Sequence, residues 1–208
     1  MDSMNANERT PTLIEAPHEH RSRLLQAMAA VVQEKAYGAI TIADVVREAG
    51  VSKRSFYEHF ESKEACFLAL YAAASASALR TLRETLDPAQ PWEHQIERGL
   101  RAYFEHLAAG PGLLRALFVD IHFLGDAGAR ARREVMRSLA DFMLDTVNGQ
   151  TAQGRPPRLN PVRAMAAVGA VNELVLVAIE SRRVDRLAEL TQDSSDLVRL
   201  MAQVPLRA

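Results

Sequence analysis

This chain is short of most features that would assign it a chemistry. It carries one cysteine, Cys66, in 208 residues. An internal disulfide is thereby excluded, and no thiolate cluster is available to a metal. Positive charge is not in excess: 25 Lys and Arg stand against 26 Asp and Glu, for a net charge of −1. Any surface that binds nucleic acid must therefore be local. No Gly-rich phosphate loop, no Gly-x-Ser-x-Gly and no His-Glu-x-x-His occurs. His18 and His20 lack acidic or Cys partners at ligand spacing, and the Glu-His steps at 58–59, 93–94 and 105–106 share no context. Cys66 lies among apolar residues and reads as packing rather than as a nucleophile. An enzyme is not expected, nor is a metal or cofactor. No clean apolar run of about 18 residues is present; the nearest, 164–179, is interrupted by Asn172 and Glu173. The first 17 residues are polar, include Pro11 and Pro17, and lack the apolar centre of a signal peptide. No membrane association is expected, and the expected location is the cytoplasm.

What is present is helical. Hydrophobic residues make up 48% of the chain, with Ala and Leu prominent. No strand-like alternation, internal repeat or low-complexity tract is found. Residues 1–17 read as a disordered arm. A stripe of Leu24, Leu25, Met28, Ala29 and Val32 predicts a helix over 19–37, ended by Gly38 as a C-cap. Thr41, with Asp44 three residues on, opens a short helix in the manner of a capping box, and Gly50 stops it. Ser52 caps a third helix over 53–59. Ser62 caps a long fourth one that runs to about 86, where Asp87-Pro88 breaks it. Further helices are expected from Pro91 to the Gly110-Pro111-Gly112 break, over 113–124, 126–150, 162–181 and 194–204, with a loop at 149–161. The fold class is all-α, with about nine helices. A seam near 75–85 divides an N-terminal domain, 18–78, from a C-terminal one, 79–208.

Two short capped helices joined by Ala49-Gly50-Val51 form a helix-turn-helix arrangement. Gly50 suits a turn that needs a positive backbone angle. Lys53, Arg54, Ser55, Tyr57 and His59 offer side chains able to reach phosphates or base edges, while Phe56 and Phe60 face inward. Lys63, at the start of the fourth helix, can reach a phosphate beside free backbone amides. Glu58 and Glu61 dilute the basic patch, so affinity is expected to depend on dimerisation. On spacing alone, a helical hairpin with solvated charges fits as well.

The residues narrow the choice. The Ala49-Gly50-Val51-Ser52 turn, Phe56-Tyr57-Glu58-His59-Phe60 and Ser62-Lys63-Glu64 resemble the tetracycline-repressor-like (TetR) family of regulators. The resemblance is strong over about residues 20–70. Ser55 departs from the Thr more usual there; it keeps the hydroxyl and loses the methyl. The resemblance implies a three-helix DNA-binding domain joined through the long fourth helix to a ligand-binding and dimerisation domain. It implies a homodimer that places two third helices in adjacent major grooves of a palindromic operator, commonly as a repressor. By that analogy Thr41, Ser55, Tyr57, His59 and Lys63 hold phosphates, and Lys53 and Arg54 read bases; Ser52, which caps the third helix, is a further candidate DNA contact.

In the second half, 113–123 is apolar and aromatic, which plain core packing explains for most of it. The resemblance implies a small, largely apolar effector held between the middle helices. Trp92, Tyr103, Phe104, Phe118, His122, Phe142 and Met143 are the candidate lining residues. Asn172 and Glu173, inside an otherwise apolar helix, need polar partners. A neighbouring helix, a dimer seam or the effector would supply them, with Arg101 or Arg115 as candidates. The last two helices are expected to form the dimer interface, because 164–179 is apolar on more than one side. The implied switch is an effector that shifts the middle helices and tilts the fourth.

Overall fold

The computed structural model describes residues 17–149 and 157–204, and every element among them is helical. Of the expected arm over 1–17, residues 1–16 lie outside the described residues, as does the middle of the 149–161 loop, while Pro17 already belongs to the first helix.

Helix α1, Pro17–Glu34, buries Leu24, Met28, Val31 and Val32 on one face. It ends before Gly38. A separate 3-10 turn, Tyr37–Ala39, follows, and Gly38 sits in its middle without a positive φ, so it is not the cap expected of it. Helix α2, Ile42–Ala49, opens on the expected capping box: Thr41 Oγ1 accepts from Asp44 N at 3.2 Å, and Asp44 Oδ2 accepts from Thr41 N at 3.0 Å. Gly50 closes α2 at φ 63, in the left-handed region where only glycine is at ease. Helix α3, Lys53–His59, is capped by Ser52, and helix α4, Lys63–Glu84, by Ser62.

Helix α5, Trp92–Ala109, begins one residue after Pro91, which is its N-cap. The single helix expected over 113–124 is two pieces. Helix α6, Pro111–Phe118, ends at Val119, and a 3-10 turn, Asp120–Leu124, continues the chain. The turn is tight because Asp120 is drawn fully inside the protein. Helix α7, Gly125–Asn148, starts directly on that turn, so closely that a Cβ on Gly128 would overlap the Ile121 carbonyl. Helix α8, Pro161–Glu180, is capped by Asn160. A 3-10 turn not foreseen in the sequence, Val184–Leu190, leads into helix α9, Thr191–Gln203.

Two apolar cores result. The first joins α1 to α4 around Leu24, Met28, Phe56 and Phe67, and it also takes in Ala116, Ile121 and Leu124 from α6 and the turn after it. The second joins α5, α7, α8 and α9 around Trp92, Phe104, Val147 and Val175. Packing thus crosses the seam expected near 75–85. By length and composition alone α4 and α8 are apolar enough to cross a membrane. Part of each packs against neighbours here: Phe67 and Leu70 in the first core, Val168 and Val171 in the second.

Candidate nucleic-acid interface and effector chamber

Helix α3 has two faces with different work. Phe56 is wholly buried and Phe60 nearly so, their rings 5.9 Å apart, which fixes the helix on the first core. Lys53, Arg54 and Tyr57 stand outward, Tyr57 with 57% of its surface exposed. Arg54 Nε reaches Glu58 Oε1 at 3.2 Å, a solvent-screened pair that a phosphate or base can displace. Thr41 and Ser52 are also on the surface, though each hydroxyl is engaged in capping.

Three expected contact residues are placed differently. Ser55 is 8% exposed and its hydroxyl lies 3.1 Å from His20 Nδ1, so it faces α1. His59 is half-buried, its ring edge-on to His20 at 6.3 Å. Lys63 donates to Tyr37 O at 3.0 Å and Ile40 O at 2.8 Å and lies over the Tyr37 ring, so its ammonium primarily holds the 3-10 turn before α2.

Residues missed in the sequence stiffen this unit. Arg23 on α1 donates from Nε and a terminal nitrogen to Ala49 O, at 3.1 and 2.7 Å, which satisfies the end of α2. Asp44 accepts from Lys35 Nζ and from an Arg47 guanidinium nitrogen, both at 2.9 Å. The Lys35 bond first, and then the Thr41 bonds, hold its carboxyl well below the usual carboxylate range. Cys66 is fully buried, and burial pushes its thiol up to about 12.

A buried hydrogen bond adds to the apolar packing that ties the three-helix unit to the rest. Tyr37 N donates to Asp120 Oδ2 at 3.1 Å, across 83 residues of chain. Arg115 Nε is 3.6 Å from Asp120 Oδ1, which has no hydrogen bond. Arg115 is therefore matched with Asp120, and Arg101 with Glu97, rather than with Asn172 or Glu173.

Between the two cores lies a cavity of about 370 Å³. Tyr71 and Ala78 of α4, Leu113 and Leu117 of α6 and Met136 of α7 form much of its wall. A narrower pocket of about 50 Å³ shares Tyr103, Leu139 and Asn172 with it and is otherwise walled by groups such as Leu100, Phe142 and Val168. A roomy apolar cavity with a few polar groups suits a small organic ligand.

Five of the nine expected lining residues border these spaces: Tyr103, Phe118, Phe142, Met143 and Asn172. Four do not. Trp92 is buried in the second core under Arg158, and Phe104 is wholly inside it. Phe104 follows Tyr103, and one helical step turns a side chain by about 100°. The same step carries Glu173, beside Asn172, out to solvent. His122 is exposed, because its turn buries Ile121 and Leu124 instead. His106, which the sequence offers beside His122 as a group able to orient a ligand, lines the cavity; Tyr71 and Arg132 line it too and were not anticipated. Arg132 belongs to the basic start of α7, which reads in sequence as a solvated face.

Against known proteins, residues 24–70 match the family model described as bacterial regulatory proteins, tetR family. The chain is 30% identical over 91 residues to the uncharacterized HTH-type transcriptional regulator YerO of Bacillus subtilis, covering 42% of this chain and about a third (31%) of that relative. It is 25% identical over 166 residues to the HTH-type transcriptional activator FasR of Mycolicibacterium smegmatis, covering 79% of this chain and 71% of that one. Among solved structures, the fatty acid degradation regulator FadR from Bacillus halodurans superposes with a TM-score of 0.74 over 93% of this chain and 100% of its own, at 16% identity. That likeness concerns the fold.

Proposed function

We propose, from the match of residues 24–70 to the tetR family model, that the chain is a TetR-family member and a sequence-specific DNA-binding transcriptional regulator released from a palindromic operator by a small, largely apolar effector. The outward face of α3 carries this reading. Lys53, Arg54 and Tyr57 are exposed on a helix whose opposite face is locked by Phe56, so the side chains meet DNA from a fixed platform. Thr41 and Ser52 flank them at the surface, and Lys63 keeps a remaining N–H for a phosphate while holding the Tyr37 turn.

A homodimer through α8 and α9 is part of the proposal. Val162 is 76% exposed and Val177 49% on α8, and Leu200 61% on α9. Large apolar groups left open on the two last helices suit a two-fold pairing. With two half-sites about one helical turn apart, a small change in the separation of the two α3 helices misaligns one of them.

The effector acts from the cavity. Its wall includes α4, which begins at Lys63 beside the Tyr37 turn, and α6, which packs Leu114 into the second core and Ala116 into the first. A ligand that moves either helix moves the reading head, with a coupling of about 1–3 kcal/mol.

The test is fluorescence anisotropy on duplexes selected by this protein from a random library. The combined Arg54→Ala and Tyr57→Ala variant should lose specific binding while its melting temperature stays within about 1–2 °C of the parent, since both side chains are at the surface. Undiminished affinity in that variant would overturn the assignment. A reporter transcribed from the selected operator then gives the sign, repression being the expected one.

A further inference from the structure

Hydrogen-bonding groups from four helices meet on the cavity wall without the partners a protein interior normally supplies. Tyr71 of α4 is 5% exposed, and its hydroxyl bonds to no described residue; the same is true of Tyr103 of α5. Asn172 of α8 has no side-chain hydrogen bond among the described residues. Arg132 of α7 is half-buried, and its one bond there goes to Met136 Sδ at 3.0 Å, a weak acceptor. No carboxylate among the described residues pairs with it, whereas Arg101, Arg115 and Arg199 each have one. The groups are also within electrostatic reach of one another. Burial raises the Tyr71 phenol and the Arg132 charge opposes that rise; burial raises the Tyr103 phenol and Tyr71 adds to it.

Donors that face an apolar cavity without acceptors are uncommon in folded proteins, and a half-buried cation there without a counter-charge more so. What satisfies a guanidinium and two phenols together is an oxyanion. One cation balances one negative charge, which favours a carboxylate over a phosphate dianion. Beyond Tyr103 and Leu139 the narrow pocket continues between Leu100, Phe142 and Val168, whose apolar walls suit an apolar chain.

We propose that the effector is a monocarboxylate with an apolar tail: Arg132, Tyr71 and Tyr103 donate to the carboxylate, and the tail enters the narrow pocket. The proposal rests on reading this cavity as the effector chamber. It also gives the ligand a grip on α4 through Tyr71 and on α7 through Arg132, so that binding draws those two helices toward one head group.

The 208-residue chain, without DNA, is titrated calorimetrically with hexanoate, decanoate, tetradecanoate, decan-1-ol and decanoyl-coenzyme A. At least one carboxylate should bind, with the alcohol weaker by about tenfold or more, the cost of losing a charge-assisted hydrogen bond. Arg132→Gln should erase that preference. Tyr71→Phe and Tyr103→Phe should each weaken carboxylate binding several-fold without lowering the melting temperature of the free protein, because each removes a hydroxyl that bonds to nothing there. A merely structural role would instead lower it. The proposal is overturned if the alcohol binds as tightly as the acid, if Arg132→Gln binds the acid unchanged, if no carboxylate binds, or if the thioester binds best and ignores Arg132→Gln. Operator affinity is measured in parallel. A protein that binds its operator but no carboxylate keeps the regulator reading and loses this one, and one that binds the acid but no DNA does the reverse.

Discussion

Around the reading head, Asp44 gathers Thr41, Lys35 and Arg47, Ser52 and Ser62 close the next two helices, and Arg23 takes up the carbonyl that ends α2. Around the cavity, the side chains of Tyr71, Tyr103 and Asn172 make no hydrogen bond to a described residue. A fully satisfied polar network favours one conformation, and an unsatisfied one leaves several close in energy. Apart from the Tyr37 hydroxyl, which is buried without a partner, the polar groups of the head are the better satisfied, which suits a fixed shape, whereas the cavity leaves its polar groups open to a ligand.

That contrast can be broken most severely at Phe56. Phe56→Ala should cost about 3–5 kcal/mol, the range for an aromatic ring removed from a closed core. Because the first core includes Ala116, Ile121 and Leu124, loss of the head should loosen the cavity as well. Urea unfolding followed by circular dichroism and by fluorescence of Trp92 should then give coincident transitions. A Trp92 transition well above the helical one would show the two regions to be separable.

Asp120 is the next point of attack. Asp120→Ala leaves the buried Tyr37 N–H without its acceptor and should cost about 1–3 kcal/mol. Asp120→Asn keeps an acceptor oxygen and should cost less than half as much, read from denaturant midpoints. Thr41→Ala removes one cap and should cost about 1 kcal/mol by the same measurement, with the cavity's ligand affinity unchanged.

The smallest effect is one of pH. Asp44 is held below its ordinary value by Lys35 and Thr41, so the stability it contributes is fully present above about pH 4 and is lost as pH falls through the folded value. Asp44→Asn should flatten that acid limb in a series of urea midpoints. An unchanged limb would place the acid-sensitive group elsewhere.

The contrast also decides what was legible in the sequence. Thr41, Ser52 and Ser62 act within three residues of themselves, so their caps and the limits of α3 could be read directly. Gly50 was legible for the same reason. Features that depend on distant partners were not. The 113–124 segment breaks at Val119 because Asp120 turns inward to a backbone amide 83 residues away. Gly38 loses its capping role because α1 stops at Glu34. Ser55 and Lys63 carry the right chemistry for phosphate, but His20 and two carbonyls of another segment engage them. In the chamber, apolar composition identified the helices and not their rotation. Tyr103 and Phe104 look alike in a sequence and lie on different sides of α5.

Cys66 is a buried thiol. It is the chain's single one, and it shares a core with Ala116 of α6. A thiol reagent can reach it only when that core opens, so its rate of labelling is a clock for local unfolding of the reading head. The clock runs without DNA and without any mutation. A ligand that enters the cavity and tightens α4 and α6 should slow it, and the retardation would report, through one sulfur atom, how strongly the two halves of the molecule sense each other.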